Sequence, residues 1–465
     1  MRPLPEAETG PTSRIRRWDA VILGSSLPGL IAAARLGMQG GRVLVLEEKA
    51  AGARPDCLRE PFWTGGVEKG SVLGVCLREL RVPLIDQRRI EPDPLAFQLI
   101  LRDARIDVGS PSLTADEWVA WGLAMPAEAR ALVSNLLDAA DAEGKALADS
   151  PMVRGGRRGS RGSGRSGDSL RTLARRLADA PPRIAKLLEA QVRALSNLGA
   201  VEPSDSARAW LLGAPLAGGA SIHGEDSLRD VLRRRIVALY GEIRPLPDTF
   251  RLVSAGGQPG VAPDAAGESG EVWVGRAFVF NAPRAALAGA VAQDPPECLQ
   301  VPEASHRRVS LHLQVEREAL PEAMASRVVI VGDESQPLTG TQLICVRRSG
   351  GANGGPFDLV ASAVLPVDEA EREGWEQRIG ERVAELLPFA GNRLVRVPAP
   401  KPRWDDDAWL ADPAPEAGWP ALAELRLPSR QPIYSLERAT VAGLGFEGDL
   451  LLGWRGGDAI AADLG

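Results

Sequence analysis

Residues 19–48 read DAVILGSSLPGLIAAARLGMQGGRVLVLEE, and this stretch determines the fold prediction. Four apolar residues, 20–23, run into Gly24 and are followed by a helical pattern over 30–39. A second apolar run occupies 42–46. Short apolar runs bounded by glycine are typical of buried parallel strands, and strand, glycine turn, helix and strand within about 30 residues form one βαβ unit. The stretch therefore predicts a Rossmann-like, dinucleotide-binding unit.

The turn of this unit, GSSLPG, matches the G-x-G-x-x-G pattern except at Ser26. The first glycine permits the tight turn, the last lets the helix pack on the strand, and the helix N-terminus faces the phosphates. Glu47 follows at the end of the second strand, where an acid binds a ribose hydroxyl and repels a 2'-phosphate. An α/β turn without a ligand is the alternative interpretation. The cofactor-binding residues predicted here are Gly24, Ser25, Ser26, Pro28, Gly29, Glu47 and Glu48.

The middle of the chain has a helical pattern, with Leu, Ala and Val at intervals of three and four residues over 117–149 and 170–198. Residues 154–168 separate the two stretches and read RGGRRGSRGSGRSGD. This composition cannot bury enough apolar area to offset chain entropy, so we predict a mobile loop there.

Strand patterns dominate the second half of the chain. A capped helix at 227–239 precedes alternating strands that end with 271–280 and predict a β-meander. A mostly antiparallel sheet and a helix at 369–387 follow, and residues 445–465 suggest a strand at 450–452, a glycine turn and a short helix. The strands predicted for the antiparallel sheet are 308–315, 327–331, 342–347 and 359–364.

The composition describes a soluble globular enzyme. The chain has 465 residues, 44% of them hydrophobic and 25% charged, which favours two or three domains. Its net charge of -6 gives no general attraction to nucleic acid or anionic lipid. The four cysteines form no C-x-x-C pair, and residues 1–17 lack the apolar core of a signal peptide. We therefore expect a cytoplasmic protein without a transmembrane span, zinc site or disulfide framework.

Three further segments extend the pattern beyond the first unit. They read PLAGGASIHGEDSLRDVLRRRIVALYGEIRPL at 215–246, GRAFVFNAPRAAL at 275–287 and GDLLLGWRGGDAIAADLG at 448–465. With 19–48, they resemble the flavin-dependent amine oxidase and phytoene desaturase-like superfamily of oxidoreductases. The resemblance implies FAD as cofactor and a closing strand, glycine turn and helix whose N-terminus faces the flavin's pyrophosphate. It adds four predicted cofactor-binding residues, Gly453, Trp454, Gly456 and Gly457.

The resemblance implies an α/β fold, α+β over the whole chain. Its parts are a Rossmann-like FAD-binding domain with a β-meander, an antiparallel-sheet substrate domain and a helical lid. The expected boundaries are a disordered leader at 1–14, the FAD-binding domain at 15–80, 215–300 and 440–465, the substrate domain at 81–116 and 301–439, and the lid at 117–214 with its mobile loop at 154–168.

The function implied by the resemblance is dehydrogenation or isomerisation of a large, mostly apolar small molecule, with hydride transfer to FAD. Flavin chemistry requires little from side chains, and the sequence identifies no catalytic residue. Two alternatives remain open: an oxidoreductase that uses NAD, and a non-catalytic relative that acts as a partner or scaffold. The oligomeric state and peripheral membrane contact also remain open. His306 and His312 lack a third ligand nearby in sequence, and Asp405–Asp407 is interpreted as a solvated loop, so no metal is expected.

Overall fold

A computed structural model describes most of the chain. The described residues are 4–7, 14–48, 59–67, 71–149, 164–199, 201–222, 227–263, 271–291, 305–350, 355–398, 404, 425–436 and 438–465.

The strands of the described residues are β1 Arg14–Leu23, β2 Val43–Glu47, β3 Ile90–Asp93, β4 Leu95–Ile100, β5 Arg105–Gly109, β6 Gly219–Ile222, β7 Glu242–Pro245, β8 Phe250–Ala255, β9 Gln258–Pro263, β10 Glu271–Phe280, β11 His306–Val315, β12 Arg327–Val331, β13 Leu343–Gly350, β14 Phe357–Pro366, β15 Leu394–Arg396 and β16 Ile433–Ser435. The helices are α1 Leu27–Met38, α2 Val72–Glu79, α3 Leu84–Gln87, α4 Pro111–Ala120, α5 Pro126–Asp149, α6 Gly164–Ala178, α7 Pro182–Leu195, α8 Asp205–Gly213, α9 Leu228–Ala238, α10 Arg284–Ala290, α11 Val367–Ala370, α12 Trp375–Leu386 and α13 Gly445–Leu464.

The first sheet is built on parallel strands in the order β7, β2, β1, β10. The end of β10 also pairs in parallel with β16, while its first half pairs antiparallel with β9, which in turn pairs antiparallel with β8. Side chains alternate along β1: Ala20 and Ile22 pack towards α1, and Val21 and Leu23 pack into the core on the other face. A strand buried on both faces is apolar throughout, which explains the run at 20–23. The predicted Rossmann-like unit and β-meander are confirmed.

The second sheet has the order β15, β11, β14, β13, β12, β4, β5, and its pairs are antiparallel except for β12 with β4. Along β12, Val328 and Ile330 pack on the face covered by α12, whereas Val329 and Val331 pack against the helical region that contains α5, α7 and α8. The predicted sheet and the predicted helical stretches at 117–149 and 170–198 are confirmed.

Helices α1 and α13 pack closely side by side because glycines line the contact. A Cβ on Gly453 would come within 2.6 Å of the Pro28 carbonyl oxygen, and one on Gly457 within 2.9 Å of the Arg35 Cβ. Such distances leave no room for a side chain, so these glycines allow the two backbones to approach. Trp454 is buried in the same core, and Gly456 faces Leu436.

The end of the chain corrects the sequence prediction. Residues 450–452, predicted as a strand, lie inside α13, and the closing strand is β16 at 433–435. A short apolar run that is buried all round has the same appearance in a helix and in a parallel strand. The strand β16 also falls inside the segment 301–439 that was predicted to belong to the substrate domain, yet it pairs with β10.

Two predicted disordered segments are also partly ordered. In the leader at 1–14, Leu4 is buried and the backbone around Glu6 pairs with Ser254 of β8, and β1 begins at Arg14. In the predicted loop at 154–168, residues 164–168 form the start of α6, and residues 154–163 lie outside the described residues. The tertiary partner strand β8 outweighs the polar composition of the leader.

We expect Gly453→Ala to destabilise the protein by about 1–3 kcal/mol, because the added methyl group collides with α1 and overpacks the contact. The matched control is Gly380→Ala in α12, where the added Cβ would lie in ordinary van der Waals contact with Leu311 Cδ2, at 3.6 Å. That control should gain up to about 1 kcal/mol from helix propensity. Urea unfolding midpoints measure both effects; equal stability of the two variants would contradict the packing role of Gly453.

Candidate cofactor site

The two glycines of the α1 turn are required by a residue from the other half of the chain. Gly24 has φ +106°, and a Cβ there would come within 2.0 Å of the Asn281 carbonyl oxygen. A Cβ on Gly29 would come within 2.1 Å of the Asn281 side-chain nitrogen. Asn281 follows β10 directly, and the sequence analysis did not identify it as a site residue. Its only sequence signal is its place at the end of an apolar strand.

Asn281 holds the carbonyl side of the turn. Its Nδ2 donates to the carbonyl oxygens of Gly24 and Ser26 at 3.4 and 3.3 Å, and the Ser26 hydroxyl donates to its Oδ1 at 2.9 Å. The serine that replaces the middle glycine is therefore bonded to Asn281. It makes no side-chain hydrogen bond to the first turn of α1.

The amide side of the turn retains unused hydrogen-bonding capacity. Helix α1 has no side-chain cap, and Pro28 lies in its first turn. The Ser25 side chain is fully buried, and its Oγ has no hydrogen-bond partner among the described residues. Buried polar groups are nearly always paired, so an orphaned hydroxyl beside an uncapped helix N-terminus marks a place for an anionic ligand. These residues fit a pyrophosphate.

The two acids after β2 occupy different environments. Glu48 is buried; its carboxylate accepts from the Ser25 amide at 2.8 Å and pairs with Arg59 at 2.9 Å. Glu47 instead forms an ion pair with Arg233 of α9. The structure thus places Glu48 directly against the turn, whereas the sequence argument assigned the ribose to Glu47. Both carboxylates already have cationic partners within the protein.

The C-terminal residues predicted to bind the cofactor make packing contacts in the structure. Gly453 contacts the first turn of α1, and Gly457, Trp454 and Gly456 lie further along α13 in the core. The N-terminal turn of α13 contributes a residue that the sequence analysis missed, Glu447. No motif signals it, because its buried environment comes from distant parts of the chain.

Glu447 is a buried acid at the beginning of α13. The Trp210 indole of α8 donates a hydrogen bond to its Oε2. Its Oε1 lies so close to Gly65 that a Cβ added to Gly65 would be only 2.3 Å from this oxygen. Burial raises the pKa of Glu447 to about 8, although the Trp210 hydrogen bond opposes the rise. Carboxyl groups with such displaced pKa values concentrate at functional sites. From its place in α13, the Glu447 carboxyl group thus contacts both α8 and residues 59–67.

The other candidate positions give no site in the described residues. His306 bonds Ser305, and within the described ranges no group of His, Cys, Asp and Glu could hold a metal ion. Asp405–Asp407 and His223 lie outside those ranges. No helix in the described part of the chain is long and apolar enough to cross a membrane.

No family model and no curated protein matches this chain. Solved structures do. An oxidoreductase from Methanosarcina mazei matches with a TM-score of 0.57 at 14% identity, over 94% of this chain and 98% of its own. This chain shares its fold with that oxidoreductase. Putrescine oxidase matches with a TM-score of 0.56 at 15% identity, over 97% of this chain and 100% of its own. Cyclohexylamine oxidase from Brevibacterium oxydans has a TM-score of 0.50 at 14% identity, over 96% and 99%.

These likenesses confirm the predicted fold class, mixed α/β with parallel and antiparallel sheets. Putrescine oxidase and cyclohexylamine oxidase are amine oxidases, which agrees with the resemblance of the sequence. At this level of identity the matches establish the fold, and the choice of cofactor and substrate depends on the site itself.

We expect Glu447→Gln to remove a pH dependence of stability. The folded pKa of about 8 lies above the unfolded value of 4.5, so the folded protein keeps a proton that the unfolded chain loses. Stability from this group is therefore full below pH 4.5 and is lost as the pH rises to 8, by about 1.4 kcal/mol per pH unit. Glutamine keeps an acceptor for Trp210 and cannot ionise.

Urea unfolding of the parent, Glu447→Gln and the control Glu322→Gln, at intervals from pH 4.5 to 9, measures this effect. Glu322 is exposed, so its variant should follow the parent curve. Glu447→Gln should be flatter than the parent and more stable above pH 8. Parallel curves for the parent and Glu447→Gln would show that the buried carboxyl does not hold its proton.

Proposed function

We propose that this chain is a flavin-dependent oxidoreductase that binds FAD at the α1 turn. The observation that carries the proposal is the orphaned Ser25 hydroxyl beside the uncapped N-terminus of α1, at the carboxyl end of a parallel strand. In open α/β sheets, ligands bind outside the carboxyl ends of the strands. The fold shared with oxidoreductases and the resemblance of the sequence support flavin over other dinucleotides.

In this proposal the amides of the uncapped first turn of α1 and the Ser25 hydroxyl hold the pyrophosphate, and Glu47 or Glu48 holds the adenosine ribose. Bound FAD supplies a hydride acceptor. The protein aligns the substrate and excludes water, and the second sheet with the helices α4–α8 forms the substrate side of the molecule. The substrate is a small molecule with a large apolar part, and the protein works in the cytoplasm.

A second candidate is a non-catalytic relative that keeps the fold. It is favoured by one observation, that both acids already have partners within the protein. Glu47 pairs with Arg233 and Glu48 with Arg59. Glu48 also accepts a hydrogen bond from the Ser25 amide. A nucleotide ribose would have to displace or join these contacts. The NAD-dependent alternative shares the same turn and is tested by the same titration.

The first experiment identifies the chromophore. We expect purified protein to be yellow and to release FAD on denaturation, because the turn fits a pyrophosphate and the fold is that of an oxidoreductase. Protein that is colourless, and whose melting temperature responds to neither FAD nor NAD, would support the non-catalytic relative. Stabilisation by NAD alone would support the NAD-dependent enzyme.

We expect Glu48→Gln to weaken FAD binding by about 1–3 kcal/mol, the cost of leaving a buried polar group without its partner. Glu47→Gln tests the assignment made from sequence. It should have the smaller effect, because Glu48 bonds the Ser25 amide of the turn, whereas Glu47 pairs with Arg233 of α9. Flavin fluorescence quenching on apoprotein gives both affinities. The control is Glu373→Gln at an exposed turn. A larger loss at Glu47 would assign the ribose to that residue, and no loss at either would remove both acids from the site.

A further inference from the structure

A polar cavity of about 380 Å³ lies between the second sheet and residues 59–67. Three arginines and one acid contribute to its lining, together with Ser349 and the backbone of β6. The charged lining residues are Arg327, Arg347, Arg348 and Glu60. The cavity is therefore cationic in a protein whose net charge is -6.

The sheet itself brings these arginines together. Arg327 and Arg347 are cross-strand partners in the β12–β13 pair, and the Arg348 amide bonds the Ser326 carbonyl. Like charges directly opposite each other in a sheet are destabilising unless something neutralises them. One charge is neutralised within the protein: Arg327 pairs with Asp93 at 3.0 Å.

The remaining acid of the lining is already engaged elsewhere. Glu60 accepts a hydrogen bond from the Leu228 amide at the N-terminus of α9, at 3.0 Å. That interaction places its carboxylate against the helix end. Two charged residues of the lining are thus bonded within the protein, Arg327 to Asp93 and Glu60 to the N-terminus of α9.

Arg348 and Ser349 both have unused donors. Among the described residues, the Arg348 guanidinium has no hydrogen bond or ion pair; its carbon lies 4.9 Å from the centre of the Phe357 ring, and Arg317 lies 4.8 Å from the same ring. Burial lowers the pKa of Arg348, and Arg317 lowers it further, against an opposing effect of Asp93. The Ser349 Oγ is buried and has no partner in the described part of the chain.

We propose that this cavity binds a carboxylate or phosphate group of a small molecule through Arg348 and Ser349. A guanidinium presents a planar fork of donors that matches either anion, and an adjacent hydroxyl donates a further hydrogen bond. The ligand class is thus an organic anion, and it extends the apolar substrate of the proposed function by an anionic group.

Residues 59–67 connect this cavity to the cofactor turn. Pro61 and Thr64 line the cavity, while Arg59 pairs with Glu48, which accepts from the Ser25 amide. Thr64 also bonds Ala220 of β6 through both its backbone and its hydroxyl. The anion is therefore the substrate's, held next to the cofactor. Only this last assignment rests on the proposed function; anion binding itself does not.

The test is calorimetric titration of inorganic phosphate, and separately of hexanoate, at constant ionic strength. We expect Arg348→Gln to bind at least about tenfold more weakly than the parent, because one charged partner is lost. Arg348→Lys keeps the positive charge but lacks the planar fork of guanidinium donors, so its affinity should lie between those of the parent and Arg348→Gln. The matched control Arg307→Gln removes an exposed arginine from β11 of the same sheet and should bind as the parent does.

Binding that is absent in the parent, or equal in the parent and Arg348→Gln, overturns the proposal. Ser349→Ala, which should bind several-fold more weakly, replaces Arg348→Gln if the melting temperature shows that the latter does not fold. Repeating the titration with FAD-saturated protein shows whether the cavity holds an anionic group of the substrate or the cofactor's own phosphate. Unchanged affinity for the added anion supports a substrate group, and lost binding assigns the cavity to the cofactor's phosphate. A chain that binds phosphate but never FAD refutes the proposed function and leaves the anion site standing.

Discussion

The parallel pairing of β1 with β10 is the constraint on which the rest of the molecule depends. It joins residues 14–23 to 271–280 in one continuous register that ends with Leu23 opposite Phe280. Since parallel strands end at the same edge of a sheet, the next residues of each strand, Gly24 and Asn281, are forced together. Their contact fixes the turn, the turn fixes the direction of α1, and α1 provides the surface on which α13 packs.

The sequence predicts what is encoded locally. The βαβ unit depends on apolar runs and glycines that are adjacent in the chain. The strands of the second sheet follow from their own local patterns, so both can be predicted from the sequence alone. Asn281 and Glu447 could not be found in this way. Asn281 matters because of a turn some 250 residues away, and Glu447 because Trp210 and Gly65 surround it. The mistaken strand at 450–452 has the same cause, since burial on all sides hides the helical period.

Residues 59–67 contact both the cofactor turn and the cationic cavity. Arg59 holds Glu48 against the α1 turn, and a few residues later Pro61 and Thr64 form one wall of the cationic cavity. A ligand that shifts this segment at one end changes the free energy of binding at the other, and such coupling is necessarily reciprocal. Gly65 extends the connection to Glu447, where a change of protonation acts on the same backbone.

The glycine contact between α1 and α13 also sets an order of events during synthesis. Helix α1 leaves the ribosome long before α13, so the face that receives Gly453 and Gly457 has no cover until the chain has grown past residue 457. Its strand partner β10 arrives only after residue 280. Contacts between such distant residues form slowly, and apolar surface that waits for them is prone to aggregation. The N-terminal unit is thus synthesised well before the segments that complete it, and its apolar surface is exposed in the interval.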